Sequence, residues 1–237
     1  MSIFLTAEWL DLALLNFAVE PALLEVYVPR GTALDVRGGR AFVSVVGFRF
    51  LRTRVLGARA VLHEDFDEVN LRLYVVRDVS GARRHGVVFL REIVARPVVA
   101  LLARALYNEP YRLARVRHRS VRSADGFESL EYGWRAERGW CFATAASDGP
   151  AYDHAAGSDE EYFTQREWGY TRQRDGGTIE YRVEHPRWRV WRARSPSLEG
   201  DFTDMFPPPL VPVLRRVPQS AFIAAGSAVT VHRGVRI

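Results

Sequence analysis

From residue 68 to residue 75 the chain alternates without a break. Glu68, Asn70, Arg72 and Tyr74 are polar, and Val69, Leu71, Leu73 and Val75 between them are aliphatic. A period of two places the two sets on opposite sides of an extended backbone, so this stretch is a β-strand with one wholly aliphatic face. Similar segments recur. Residues 41–50 and 87–94 are dense in β-branched and aromatic side chains. Residues 115–121, 128–134 and 140–145 form a meander, with turns at 124–126 and 138–139. Strands at 178–184, 187–194 and 221–231 complete the set.

Helix signals are few. Residues 21–27 are one short candidate. Residues 96–106 are the best, with Pro97 near the start, where a missing N–H costs nothing. A third starts at Ser158, which with Glu161 makes a capping box ahead of Tyr162 and Phe163. Residues 207–212 read as a stiff connector rather than a domain boundary, because so little chain follows. The expectation is one α+β domain over residues 1–237, mainly antiparallel sheet with a few short helices.

Composition narrows the function. At 237 residues, 48% hydrophobic and 26% charged, the chain can bury a substantial core. A single cysteine, Cys141, rules out an intrachain disulfide and suits a reducing compartment. Flanked by Trp140 and Phe142, it reads as a packing residue. One cysteine and six scattered histidines build no zinc site, so no metal is expected. The stretch 63–68 is acidic, but its spacing fits no cation loop, and a solvated turn explains it. The apolar N-terminal stretch lacks a basic leading region and is interrupted by Glu8 and Asp11, which argues against a signal peptide. No uncharged run approaches the ~20 residues of a membrane helix. A soluble, cytoplasmic protein with no membrane contact is expected. No phosphate loop, nucleophile elbow or zinc-protease motif occurs, so no cofactor is expected.

All 33 residues counted as lysine plus arginine are arginine. Lysine is the usual carrier of imine chemistry, so no side chain here can perform it. Codon bias in a GC-rich genome is the simplest explanation, and it has the same chemical consequence.

Several stretches together resemble the YqjF-like proteins, a bacterial family of unknown function. They include Tyr27-Val-Pro-Arg-Gly31, the strand from Phe66 to Val75, Gly86 to Glu92, Leu106-Tyr-Asn-Glu-Pro-Tyr111, Gly157 to Phe163, Trp168-Gly-Tyr170, His185-Pro-Arg-Trp188 and Ala225-Gly-Ser227. That family is similar in fold to acetoacetate decarboxylase. The resemblance implies a strongly curved antiparallel sheet forming a cone or half-barrel with a pocket inside. In the decarboxylase a strand ending in Arg-Glu leads to the imine-forming lysine. The matching stretch here is Arg91-Glu92, and Val98 falls where the lysine would stand.

The residues that remain suggest a small-molecule site. Asn70, Arg72 and Tyr74 with Glu68 can bind a carboxylate or polarise a carbonyl. An exposed sheet face with cross-strand ion pairs accounts for the same pattern. Glu92, between Leu90 and Val94, reads as a buried acid fit for proton transfer, or as one simply paired with an arginine. Trp168, Tyr170, His185 and Trp188 form an aromatic group able to wall a pocket or fill a core. His185 is the histidine best placed to titrate. The leading expectation is therefore a binder of a small organic ligand, with Arg72 as anion anchor, Glu68, Glu92 and His185 as candidate acid/base groups, and Trp168 and Tyr170 as walls. Turnover, if any, would be imine-independent lyase- or isomerase-like chemistry. A homo-oligomer is compatible with all of this. The competing reading uses the basic strand carrying Arg115, Arg117 and Arg119, flanked by Arg112 and Arg122, to contact nucleic acid. A net charge of +5 permits that without requiring it, and no recognition motif accompanies it.

Overall fold

A computed structural model describes residues 2–59, 65–95 and 110–237. The expected helix at 96–106, Val98 and the first two residues of the acidic stretch 63–68 lie outside these. Fifteen strands are present among the described residues: β1 (Ile3–Val19), β2 (Ala33–Leu34), β3 (Ala41–Val55), β4 (Ala58–Arg59), β5 (Phe66–Val79), β6 (Ala82–Val94), β7 (Tyr111–Leu113), β8 (Val116–Arg122), β9 (Phe127–Ala136), β10 (Gly139–Tyr152), β11 (Trp168–Arg172), β12 (Thr178–Glu184), β13 (Val190–Glu199), β14 (Ser220–His232) and β15 (Val235–Arg236). The helix α1 spans Asp159–Thr164, and a single helical turn, α2, spans Val211–Leu214.

The strands join in one sheet, ordered β15-β12-β11-β6-β5-β3-β1-β14-β13-β10-β9-β8. Strand β12 also pairs with β14, through Val183–Val231 and Glu184–Thr230. That contact closes β12-β11-β6-β5-β3-β1-β14 into a ring. The arm β13-β10-β9-β8 leaves the other half of β14, where Val190 faces Ala224. Pairing is antiparallel except at β11–β6 and β6–β7. The mainly antiparallel, curved sheet is thus as expected from the sequence.

Each face of the central strands is covered. Ala13, Leu15, Val43, Val45, Val69, Leu71 and Leu73 share a core with Leu130, Tyr132 and Trp134 of the arm and with Phe202–Leu214 residues. On the opposite face, Leu12, Leu14, Val46, Phe48, Tyr74 and Val87 pack with Phe163, Trp188 and Phe222. Burial on both faces explains why β1 shows no alternation. Its stretch 11–17 is buried throughout and reads as a plain apolar run, from which no element is legible. Curvature is set partly by bulges. Between Leu10 and Ala13 the β1–β3 register shifts, and Asp11 there adopts φ 55°. The cost of that left-handed backbone is met by fixed partners. Arg122 holds the Asp11 carboxylate at 2.6 Å, and the Tyr132 hydroxyl donates to the Asp11 carbonyl at 2.7 Å.

Two local expectations need correction. Residues 21–27 form two 3-10 turns, Pro21–Leu23 and Glu25–Tyr27, instead of one helix. So short a segment gains too few hydrogen bonds to offset helix nucleation. The proline connector carries a 3-10 turn and α2, with Leu210 and Leu214 fully buried, so it is part of the core. The cap at Ser158 forms: its Oγ accepts from the Glu161 amide at 3.2 Å. The Glu161 carboxylate reaches past Ser158 to the Gly157 amide at 2.6 Å. No helix among the described residues is long and apolar enough to cross a membrane.

Candidate functional site

The polar face of β5 points into the second core instead of into solvent. Glu68, Asn70 and Tyr74 are each 1% exposed, and Glu92 is 3% exposed. Asn70 lies directly opposite Glu92 across the β5–β6 pairing, so the two share a face. Tyr111 joins them because β7 pairs in parallel with β6, placing Tyr111 beside Glu92. Asn70 Nδ2 donates to Glu68 Oε1 at 3.1 Å, and the Tyr111 hydroxyl donates to Glu68 Oε2 at 3.4 Å. Four polar side chains thus meet on a sheet face otherwise lined by Phe48, Phe50, Phe66, Val87 and Val94. Asn70 Oδ1 is buried and accepts no hydrogen bond among the described residues.

Arg72 sits further along β5 and is already engaged. Its Nη2 donates to the Phe163 carbonyl at 2.9 Å and its Nε donates to the Tyr74 hydroxyl at 3.3 Å. The first bond supplies a donor to a carbonyl that α1 leaves open at its C-terminal end. Arg72 forms no ion pair among the described residues, so its charge is solvated only by neutral groups. Tyr74 has a structural task. Its hydroxyl lies 2.6 Å from Ser44 Oγ, which donates to Asn16 Oδ1 at 2.6 Å. Since Ser44 has a single proton, Tyr74 is the donor in their bond. Asn16 Nδ2 then donates to Ser220 Oγ at 3.1 Å. This chain crosses β5, β3, β1 and β14 and ties the ring together on its polar face.

Trp168 and Tyr170, expected as walls of the same pocket, lie on the other side of the sheet. Gly169 is opposite Val87, so it occupies the polar face and its two neighbours the reverse one. Trp168 and Tyr170 pack with the larger core accordingly. Beneath the Trp168 ring, at 4.1 Å, lies the Arg84 guanidinium, which together with Arg77 holds buried Glu180. The sequence marks no strand at residues 168–172, and the face they present depends on the parallel β11–β6 pairing, which has no local sequence signal.

His185 stacks on Trp188, ring centroids 4.0 Å apart, and its Nδ1 lies 2.9 Å from the Pro186 carbonyl. Burial pushes its pKa below 6.5, with Arg72 adding to the shift. It opens on a cleft of about 390 Å³ also lined by Glu167, Arg182, Glu184, Pro186 and Ala228. Arg182 pairs there with both Glu167 and Glu184. The structure records no contact between His185 and Glu68 or Glu92, so the three candidate acid/base groups do not form one constellation. Cys141 is fully buried, and burial raises its thiol pKa to about 11. Among the described residues, no group of histidine, cysteine and carboxylates has the arrangement of a metal site.

Sequence reasoning missed Tyr111, Ser44 and Asn16. Asn16, a lone amide within an apolar run, was the one detectable signal. The other two reach the site through pairings between distant strands.

The fold has counterparts among solved structures. The acetoacetate decarboxylase of Legionella pneumophila superposes with a TM-score of 0.68 at 14% identity, over 100% of this chain and 88% of that one. The enduracididine biosynthesis enzyme MppR, determined in complex with pyruvate, gives a TM-score of 0.68 at 12% identity, over 100% of this chain and 91% of that one. An acetoacetate decarboxylase-like enzyme from Sphingomonas wittichii gives 0.62 at 13% identity, over 100% and 94%. At such identities the likeness establishes an acetoacetate-decarboxylase-like fold and nothing finer. No curated protein matches the chain in sequence. The model of one family does match, over residues 6–227, nearly the whole chain including every candidate residue above, and on that ground the chain belongs to the YqjF-like DUF2071 family of uncharacterized conserved proteins.

Proposed function

We propose that this protein binds a small carboxylate-bearing organic molecule at the patch of Glu68, Asn70, Glu92 and Tyr111, without forming an imine. The observation that carries this reading is the burial of those four polar groups together on an otherwise apolar sheet face. Leaving a buried polar atom without a partner costs about 1–3 kcal/mol, and Asn70 Oδ1 is such an atom among the described residues. A fold can omit that cost by using aliphatics, as the reverse face of β5 does. Asn70 Oδ1, an acceptor without a partner, suits a ligand hydroxyl or enol proton. The Arg72 guanidinium, free of ion pairs, supplies charge for a carboxylate through the N–H groups that Phe163 and Tyr74 leave open. Among the fold relatives, MppR was captured with pyruvate, which makes 2-oxo acids sensible first probes. Lysine is absent, so a carbonyl here would be polarised by hydrogen bonds, and any proton transfer would fall to Glu68 or Glu92. The cytoplasm and the single-domain organisation belong to the same reading.

Thermal melts against pyruvate, acetoacetate and related carboxylates test it. A ligand at 100 times its Kd adds about 2.7 kcal/mol, a readily measured rise in Tm. Asn70→Ala should remove that rise. Borohydride added with acetoacetate should leave every side chain unmodified by mass spectrometry. A reduced side-chain adduct would sink the imine-free part, and the absence of any carboxylate-dependent rise would sink the binding part.

A further inference from the structure

Many arginines of this chain are in ion pairs. Arg37, Arg40, Arg52, Arg77, Arg138 and Arg236, spread over the molecule, each hold a carboxylate. In the β8-β9-β10 arm, Arg122 at the end of β8 and Arg138 at the β9–β10 turn are paired, but a row of arginines between them is not. Arg117 and Arg119 of β8 and Arg135 of β9 are exposed and alternate onto one face, with Arg115 just ahead of β8. None of the four forms an ion pair among the described residues. Carboxylates share this face: Glu131 lies directly opposite Arg119, Asp148 follows Trp140 and Phe142 along the same side of β10, and Glu199 of neighbouring β13 lies opposite Phe142. None of the three is in an ion pair among the described residues. Arg115, Arg117 and Arg135 thus cluster at one end of the face, with Glu131 opposite Arg119 as the nearest cross-strand acid.

Aromatic side chains lie within it. Register places Trp140 opposite Arg135 and Phe142 opposite Gly133, which is itself opposite Arg117. Gly133 leaves the floor open: a Cβ there would lie 2.8 Å from the Phe142 ring. Phe142 fills that space, and Trp140 stands beside it with centroids 6.3 Å apart and planes at 19°. The Arg117 guanidinium covers both rings, 4.3 Å from the Trp140 centroid and 5.3 Å from that of Phe142. Both rings are half-buried, so each keeps an accessible surface.

From this juxtaposition we propose that the outer face of the β8-β9-β10 arm binds single-stranded nucleic acid, independently of the small-molecule site. Successive arginines along β8 are two residues apart, about 7 Å at strand rise, and form a row of cations for a sugar-phosphate backbone. Trp140 and Phe142 offer the ring surfaces on which bases stack, and Arg117 extends that surface with its own plane. Charge complementarity alone would also suit an acidic polypeptide. The paired rings beside the arginines favour bases.

Fluorescence anisotropy with a labelled oligodeoxythymidylate and the full chain at low salt is the test. Binding should weaken with salt, with a log–log slope of about −0.7 per phosphate contacted. Arg117→Ala with Arg119→Ala should cut affinity at least tenfold and make the slope shallower by about 1.4. Trp140→Ala should cut affinity about tenfold with little change in slope, since stacking is not a counterion effect. Trp140→Phe, which keeps a ring for the fold, should retain most of the affinity. Circular dichroism melts of each variant separate lost binding from lost structure. The proposal is overturned if the oligonucleotide does not bind at low salt, if polyglutamate binds as tightly, or if Trp140→Ala binds as the parent does while remaining folded. The carboxylate-dependent melts should be unchanged in these variants, so the two sites can fail separately.

Discussion

The two faces of β5 are equally buried and chemically opposite. Val69, Leu71, Leu73 and Val75 are each 0% exposed on one side, and Glu68, Asn70 and Tyr74 are 1% exposed on the other. The aliphatic face contributes through packing and area removed from water. The polar face contributes little by that route and has to satisfy its groups by hydrogen bonds instead. What the contrast teaches is that alternation here does not separate inside from outside. It separates a face that stabilises the fold from one that the fold must support.

Three experiments press on that contrast. The largest effect is expected on the aliphatic face: Leu71→Ala should cost about 2–5 kcal/mol by denaturant unfolding, with carboxylate binding intact in the folded fraction. An intermediate effect is expected from Glu68→Ala, which withdraws the acceptor from Asn70 Nδ2 and the Tyr111 hydroxyl, at about 1–3 kcal/mol. Glu68→Leu, an apolar replacement of similar size, should be less costly than Leu71→Ala and still abolish carboxylate binding. If Glu68→Leu is as damaging as Leu71→Ala, the two faces do the same job and the contrast breaks.

The smallest effect is a pH dependence. The His185 pKa is depressed in the folded state, so the unfolded chain takes up its proton first. Its contribution to stability is present above its unfolded pKa of about 6.5 and is lost as pH falls through the lower folded value. His185→Phe, which keeps a ring on Trp188, should flatten the stability profile between about pH 5 and 7. Asp201, held at about 2 by Thr203 and Arg138, titrates well below that window and does not confuse it.

Much of the fold was legible in local pattern. Residues 68–75 announced their strand, and Ser158 announced the start of α1. What local pattern does not contain is which strand lies beside which. The partnership of β7 with β6 brings Tyr111 to Glu68, and the parallel β11–β6 contact turns Trp168 and Tyr170 away from it. The polar face of β5 could equally have met solvent, and among the described residues the cover provided by Phe163, Trp188 and Phe222 decides otherwise. Residues 11–17 of β1 hide their strand for a different reason, because a backbone buried on both sides loses the alternation that identifies strands.

The place of β1 in the ring has a consequence in time. It lies between β3 and β14, and its partner across one edge is more than 200 residues away, as in the pair Leu5–Val231. A chain emerging in order can form β1–β3 early, but the other edge of β1 stays open until β14 has been synthesised. Loop closure over such a separation makes folding slow and leaves an apolar strand edge exposed meanwhile. The ring is thus closed only after β14 has emerged, and the Phe222 cover over the polar face arrives with it.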